Sequence, residues 1–134
     1  MNPERVELVK YRLQKARSTL ADAQTLFSES SLVSTVNRIY YAMFYAVNAL
    51  LLTKGLSSSK HAGVRGLFNK EFISTGLVDR DSGRLYNELF HNRQEGDYKD
   101  FIEFQKPQVE SWLKLAEGFI NLLEQASLKI TAAG

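Results

Sequence analysis

One stretch decides the fold: residues 37–45, which read Asn-Arg-Ile-Tyr-Tyr-Ala-Met-Phe-Tyr. Four aromatic rings, an amide and a guanidinium lie within a segment that otherwise has the composition of a buried helix. At about 3.6 residues per turn, an α-helix sorts this region into two stripes. One consists of Asn37, Tyr41, Tyr45 and Asn48, and the other of Tyr40, Met43, Val47 and Leu50. The second stripe predicts a face that packs in a core, and the first predicts a face that lines a site.

Helical periodicity continues on both sides of this stretch. Apolar residues recur at alternating spacings of three and four, which is the pattern of an amphipathic helix face. Serines before residue 32 can cap the second helix, and Gly55 can end it in the left-handed conformation. Asp79 can cap a fourth helix of about a dozen residues that ends near Arg93. The other predicted helices span residues 4–28, 32–54, 61–74 and 106–128.

No window shows the strict alternation of a half-buried strand, so the sequence predicts an all-α fold. Long helices with short connections pack most simply as a four-helix up-and-down bundle, with the additional short helix alongside. With 134 residues, of which 44% are hydrophobic, the chain has the size of one domain. We assign residues 1–130 to that single domain and residues 131–134 to a frayed tail.

Charge and cysteine content narrow the function classes only slightly. A net charge of +2 is too small to indicate nucleic-acid or membrane binding by itself. The absence of cysteine fits a reducing cytoplasm. The first residues lack the apolar core of a signal peptide, and no run approaches the roughly 18 apolar residues of a membrane span. The sequence therefore predicts a cytoplasmic protein that does not contact a membrane.

Common catalytic motifs are not found. The chain has two histidines, His61 and His91, and no metal-ligand spacing such as His-Glu-x-x-His. Its glycines are scattered, which excludes a phosphate-binding P-loop. Three serines at residues 57–59 are better explained as linker and cap residues than as nucleophiles. We therefore expect neither a metal nor a cofactor.

Residues 90–98 concentrate an imidazole, a guanidinium, a carboxylate and a phenol at the end of the fourth helix. Arg93 could simply be an ion-pair partner of Asp97 at the helix terminus. Alternatively, its planar fork could bind a phosphate or a carboxylate. Arg38, next to aromatic residues of buried type, also needs a partner, and Asp97 is a candidate. We therefore expect the segment containing Asn37, Arg38 and Tyr41 to contact the segment containing Arg93, Asp97 and Tyr98.

The ordered set of these segments resembles the HEPN family, the higher eukaryotes and prokaryotes nucleotide-binding domain, and in particular its small stand-alone prokaryotic branch. The segments are residues 37–45, residues 60–64 and residues 93–98. The resemblance implies a four-helix bundle with an extra short helix, often a homodimer whose paired faces form a cleft. It also implies a minimal nucleotidyltransferase as partner in a toxin–antitoxin module.

Three functions remain open. The leading hypothesis is a bundle that binds a nucleotide, RNA or a nucleotidyltransferase. Its expected ligand-binding residues are Asn37, Arg38, Tyr41, His61, Arg93, Asp97 and Tyr98. The first alternative is a metal-independent endoribonuclease toxin that leaves a 2′,3′-cyclic phosphate. The second is a bundle that serves only for dimerisation, in which both arginines form internal ion pairs.

The resemblance also names a catalytic pattern, Arg-x4-6-His, and this chain departs from it. No histidine follows Arg93, and the residue five places on is Tyr98. Arg84 and His91 have the required spacing, but Arg84 lies earlier in the fourth helix than the family's arginine does. We therefore regard the spacing of Arg84 and His91 as fortuitous. His91 could reach the dimer cleft beside Arg93, and we take His91 and Arg93 as the candidate catalytic residues.

Overall fold

The computed structural model describes residues 1–99 and 102–133. In this part of the chain there are five α-helices and no strand. The helices are α1 (Pro3–Ser28), α2 (Leu32–Thr53), α3 (His61–Phe68), α4 (Arg80–Tyr98) and α5 (Lys106–Ala133), and a π-helical turn, Asn69–Ile73, follows α3. The predicted all-α fold, a four-helix bundle with an additional short helix, is confirmed.

Helix α2 lies at the centre of the bundle and packs against α1, α4 and α5. Its predicted core stripe is fully buried, with the side chains of Tyr40, Met43, Val47 and Leu50 at 0% exposure. The other stripe is partly exposed at Asn37, Tyr41 and Tyr45, as predicted. Asn48 is the exception, because it is buried and donates its amide to the Phe44 carbonyl of the preceding turn.

The predicted helix signals are mostly confirmed. The Asp79 carboxylate accepts a hydrogen bond from the Ser82 amide at 3.0 Å and so caps α4. Gly55 has φ +70°, the left-handed conformation that glycine adopts at low cost after a helix. Ser31 stands at the N-cap position of α2, but its side chain makes no capping hydrogen bond.

Three helix ends differ from the sequence-based prediction. Helix α3 ends at Phe68, where the chain changes to a π-helical turn. Helix α5 continues through Thr131 to Ala133, which were assigned to a tail, because Ile130 packs against the core; Gly134 lies outside the described residues. The prediction that α4 ends near Arg93 is wrong, because α4 extends to Tyr98.

The extension of α4 has a physical cause. Two side-chain pairs with i,i+4 spacing, Arg93 with Asp97 and Glu95 with Lys99, stabilise its last turns. Gly96 is tolerated inside the helix, where its Cα faces the Phe104 ring and Val33. Residues 93–98 therefore lie on helical faces and not in a loop, which decides where each side chain points.

Within residues 1–99 and 102–133, none of the helices has the length and apolarity that crossing a membrane requires.

Candidate functional site

The candidate site is built around Arg93 on α4. Its side chain is only 7% exposed, and one guanidinium nitrogen, Nη1, lies 3.4 Å from the Asp97 carboxylate. The guanidinium carbon lies 4.7 Å from the ring centre of Tyr40 and 5.7 Å from that of Tyr41. Such ring faces attract cations, but the Nε atom of Arg93 is buried and has no hydrogen-bond partner among the described residues. The charge of Arg93 is therefore partly neutralised, while its donors are not saturated.

Asp97 connects α4 to α2 through Asn37. The amide nitrogen of Asn37 lies 3.2 Å from each carboxylate oxygen of Asp97. The amide oxygen of Asn37 accepts two hydrogen bonds from Arg38, at 3.0 Å from Nε and 2.7 Å from Nη2. A continuous chain of polar contacts thus runs from Arg38 through Asn37 and Asp97 to Arg93. The predicted contact between these two segments is made by Asn37 with Asp97 and by Tyr41 with Arg93. Arg38 donates to Asn37 and not to Asp97, which was its predicted partner.

Tyr41 lies where three cationic or titratable groups meet. Its ring centre is 4.9 Å from the Arg38 guanidinium, 5.7 Å from the Arg93 guanidinium and 5.5 Å from the His61 ring centre. The residue is partly exposed. An aromatic face flanked by guanidinium groups is the arrangement on which nucleobases stack beside a phosphate.

His61, the first residue of α3, is held against α2. Its Nδ1 atom lies 2.8 Å from the Tyr40 hydroxyl, and its ring lies 4.5 Å from the Phe44 ring, centre to centre. Burial, and secondarily the charge of Arg93, lowers the pKa of His61 below its ordinary value. The imidazole is therefore held neutral near pH 7, and Nε2 has no hydrogen-bond partner among the described residues.

Tyr40 supports this arrangement from the core. It is fully buried, and its ring packs on Tyr86 with centres 5.8 Å apart. Burial raises the pKa of Tyr40 above its ordinary value, so the hydroxyl stays protonated at neutral pH and can hydrogen-bond to His61. We call the whole group the Arg93 cluster. It consists of Asn37, Arg38, Tyr40, Tyr41, His61, Arg93 and Asp97.

The cluster opens onto the surface beside the start of α2. A depression of about 350 Å³ is lined there by Leu26, Val33, Ser34, Asn37, Arg38 and Asp97. The cluster contains two guanidinium groups and one carboxylate, so its net charge is positive when His61 is neutral. The geometry therefore favours an anion that carries a ring able to stack.

Two predicted site residues lie elsewhere. Tyr98 is 77% exposed and borders a separate depression with His91 and Lys99. His91 is exposed, and its Nε2 atom lies 3.3 Å from Nη1 of Arg65, whose guanidinium stacks on the Phe90 ring at 4.4 Å. Residues two apart in a helix point about 200° apart, so His91 and Arg93 face opposite sides of α4. The structure does not bring this candidate catalytic pair together.

The pair with family spacing, Arg84 and His91, is also outside the cluster. Arg84 is exposed and forms an ion pair with Asp81 in its own helix. The two residues are two turns apart on α4, or about 10 Å along its axis. They share a helix face, but neither contacts Arg93.

Sequence reasoning missed the role of Tyr40, which it assigned to packing. The residue does pack in the core, yet its hydroxyl also contacts His61, which lies 21 positions later in the chain. No periodic pattern could reveal this contact, because it depends on how α3 returns to α2. The only available signal was a polar group on an otherwise apolar stripe.

Residues 9–126 match the model of the HEPN domain family. A UPF0332 protein of Thermotoga maritima is 47% identical over 122 residues, which cover 91% of this chain and 92% of the relative. Methanocaldococcus jannaschii has two relatives with the names "Putative toxin MJ0142" and "Putative toxin MJ0605". The first is 39% identical over an alignment that covers 81% of this chain and 74% of the relative. The second is 32% identical over an alignment that covers 97% of this chain and 96% of the relative.

Proposed function

The chain belongs to the HEPN domain family, and on that premise we propose that it binds a phosphate-bearing nucleotide or RNA in the Arg93 cluster, as part of a toxin–antitoxin-type module. One observation carries the proposal: the Arg93 side chain is only 7% exposed and lies among aromatic rings, yet within residues 1–99 and 102–133 its Nε atom has no hydrogen-bond partner and its one carboxylate contact is 3.4 Å long. Buried charges are normally paired and fully hydrogen-bonded, so the missing partner points to a ligand. A phosphate supplies the charge and the acceptor oxygens that Arg93 lacks.

The names of the two relatives from Methanocaldococcus jannaschii support the assignment to a toxin-type module. The family resemblance also motivates two partner assignments, a second copy of this chain and a minimal nucleotidyltransferase. Light scattering after gel filtration tests the first, and co-purification with a co-expressed nucleotidyltransferase of this small class tests the second. A monomer at all concentrations would refute the homodimer, and separate elution of the two proteins would refute the nucleotidyltransferase partner.

Ligand binding is tested by calorimetric titration with AMP and with a 5′-phosphorylated single-stranded RNA. The variant Arg93→Ala should bind both at least tenfold more weakly than the wild type. Arg84→Ala is the matched control, because Arg84 lies on the same helix, carries the same charge and is exposed. Circular dichroism verifies that each variant is folded. If Arg93→Ala is not folded, Arg93→Lys, which retains the charge, takes its place.

Two results would refute binding at this site. The first is that the wild type binds neither ligand, and the second is that the wild type and Arg93→Ala bind with equal affinity. A loss of affinity in Arg84→Ala as large as in Arg93→Ala would show that only the overall charge of α4 matters.

The endoribonuclease alternative is favoured by one specific observation, the position of His61 in the Arg93 cluster. If Nδ1–H is donated to the Tyr40 hydroxyl, the free Nε2 can accept the proton of a ribose 2′-hydroxyl. The 2′-oxygen would then attack phosphorus, the bond to the 5′-oxygen would break, and that oxygen would take a proton from the imidazolium. Arg93 would stabilise the charge on the phosphate oxygens.

This alternative assigns the histidine role to His61 and not to His91. Wild-type protein incubated with single-stranded RNA in the presence of EDTA should give products that end in a 2′,3′-cyclic phosphate. His61→Gln should abolish the products, and His91→Gln should retain them. Intact RNA with the wild type would reject the enzyme and leave the binding function.

A further inference from the structure

Asp97 occupies the place that an incoming anion needs. In the part of the chain that the structure describes, its carboxylate is the only acidic group in contact with the buried Arg93 guanidinium. Both of its oxygens also accept a hydrogen bond from the side-chain amide of Asn37. The side chain of Asp97 is 28% exposed and lines the surface depression beside α2, whereas that of Arg93 is 7% exposed and does not line it. An anion from solvent reaches Arg93 by displacing this carboxylate.

The contacts that hold Asp97 are long. Charge-assisted hydrogen bonds typically span about 2.7–2.9 Å. Asp97 lies 3.2 Å from the Asn37 amide nitrogen and 3.4 Å from Nη1 of Arg93. The Nε atom of Arg93 donates no hydrogen bond to it. Asp97 therefore neutralises the cluster only in part and does not satisfy its donors, and a group with more acceptor oxygens can satisfy them better.

The position of Asp97 in α4 is also electrostatically unfavourable. The helix ends at Tyr98, which places Asp97 in the last turn, and that turn contains no basic residue. The C-terminal end of a helix carries a partial negative charge that repels carboxylates. Glu95 adds a second carboxylate near this end, and it is paired with Lys99. Apart from Arg93 and Asn37, the surroundings of Asp97 favour displacement of its carboxylate from Arg93.

We propose that Asp97 is an internal competitor that makes the Arg93 cluster selective for phosphate monoesters over phosphodiesters. The inference rests on the proposed function, because selectivity requires that an anion binds at Arg93. A phosphodiester carries one negative charge, the same as the carboxylate that it would displace, so the exchange gains little. A phosphate monoester carries about −1.5 to −2 at pH 7 and has three strong acceptor oxygens. The ligand class is therefore a nucleotide, or an RNA with a terminal phosphate.

The test compares AMP with 3′,5′-cyclic AMP, which has the same base and sugar but a singly charged phosphodiester. Calorimetry gives both affinities for the wild type, Asp97→Asn and Glu95→Gln. The wild type should prefer AMP at least tenfold. Asp97→Asn keeps the size of the side chain and removes its charge, so it should bind cyclic AMP at least tenfold more tightly than the wild type. Glu95→Gln removes a carboxylate near the same helix end and should retain the wild-type preference.

A second measurement uses the wild type alone. The side-chain amide resonances of Asn37 in ¹⁵N-labelled protein should shift when AMP displaces Asp97, and cyclic AMP at the same concentration should shift them less. Amide resonances that stay unchanged at saturating AMP would overturn the inference. So would an equal preference for AMP in the wild type and Asp97→Asn, or weaker binding of both nucleotides by Asp97→Asn. These results leave binding at Arg93 intact, whereas no binding by any of the three proteins refutes the proposed function itself.

Discussion

The amide nitrogen of Asn37 lies 3.2 Å from both carboxylate oxygens of Asp97, although 60 positions separate the two residues in the chain. This contact joins the start of α2 to the last turn of α4. Arg38 fixes the orientation of the amide by donating twice to its oxygen. Rotation of the amide would place its NH₂ group against the guanidinium and its oxygen against the carboxylate. The network therefore has one favourable arrangement.

Replacing Asn37 should measurably destabilise the protein. Asn37→Ala leaves two Arg38 donors and both Asp97 oxygens without this partner, so we expect a loss of about 1–2 kcal/mol in the free energy of unfolding. Urea denaturation at neutral pH measures the loss. Asn92→Ala is the control, because the Asn92 amide donates only to the Glu88 carbonyl in its own helix, and its effect should stay within about 0.5 kcal/mol. Equal losses in both variants would show that the network adds no stability.

Stability should depend on pH through His61. Burial, followed by the charge of Arg93, lowers the pKa of His61 below the ordinary value of 6.5 that the unfolded chain has. Between these two values the unfolded state binds more protons than the native state, so the free energy of unfolding rises with pH. The contribution is fully present above about pH 6.5 and is lost as the pH falls toward the native pKa.

The check is a series of urea denaturations between about pH 5 and pH 7.5. His61→Gln should reduce the slope of stability against pH, because glutamine does not titrate. A His61→Gln variant that keeps the full wild-type slope would contradict the assignment.

Much of the fold could be predicted because helix periodicity is local. The core stripe of α2 follows from spacing alone, as does the cap at Asp79, since each depends on neighbours within a few positions. The end of α4 could not be predicted in this way. Glycine at position 96 is a typical helix-ending signal, yet it lies inside α4, where a Cβ atom would be 3.2 Å from the Phe104 ring and 3.5 Å from Val33, which belong to other segments.

The site could be predicted only in part for the same reason. A contact between the two segments was predicted because Arg38 required a partner and Asp97 was the candidate, whereas in the structure Asn37 donates to Asp97 and Arg38 donates to Asn37. The exposure of Tyr98 was not predicted, because it depends on whether residues 93–98 form a loop or a helix. The separation of His91 from Arg93 follows from the helical rotation per residue alone, because both residues lie within the helix that the sequence predicts.

Gly118→Ala should stabilise the protein. Gly118 lies inside α5, and a Cβ atom there would meet nothing within 4 Å. Alanine in a helix interior is favoured over glycine by about 0.5–1 kcal/mol, so thermal unfolding should shift upward accordingly. Gly83→Ala is the comparison, because its Cβ would lie 3.1 Å from Cγ1 of Ile73. This variant should gain less stability than Gly118→Ala, or lose stability. A destabilised Gly118→Ala variant would contradict the prediction.

Arg38 should contribute to anion binding through both its charge and its geometry. Its guanidinium donates twice to Asn37 and lies over the Tyr41 ring at 4.9 Å. We expect Arg38→Ala to weaken AMP binding about tenfold, in line with the loss of about 1–2 kcal/mol for one charged contact. Arg38→Lys should give an intermediate affinity, because an ammonium keeps the charge but lacks the planar fork.

Lys15→Ala serves as the control for the Arg38 variants, because Lys15 lies over the Tyr45 ring at 4.6 Å in a similar cation–aromatic contact outside the Arg93 cluster. Its AMP affinity, measured by the same calorimetric titration, should equal that of the wild type. If Arg38→Lys binds as tightly as the wild type, only the charge matters and the two donors to Asn37 are irrelevant to the ligand. If Lys15→Ala weakens binding as much as Arg38→Ala, the effect comes from the overall charge of the protein and not from the site.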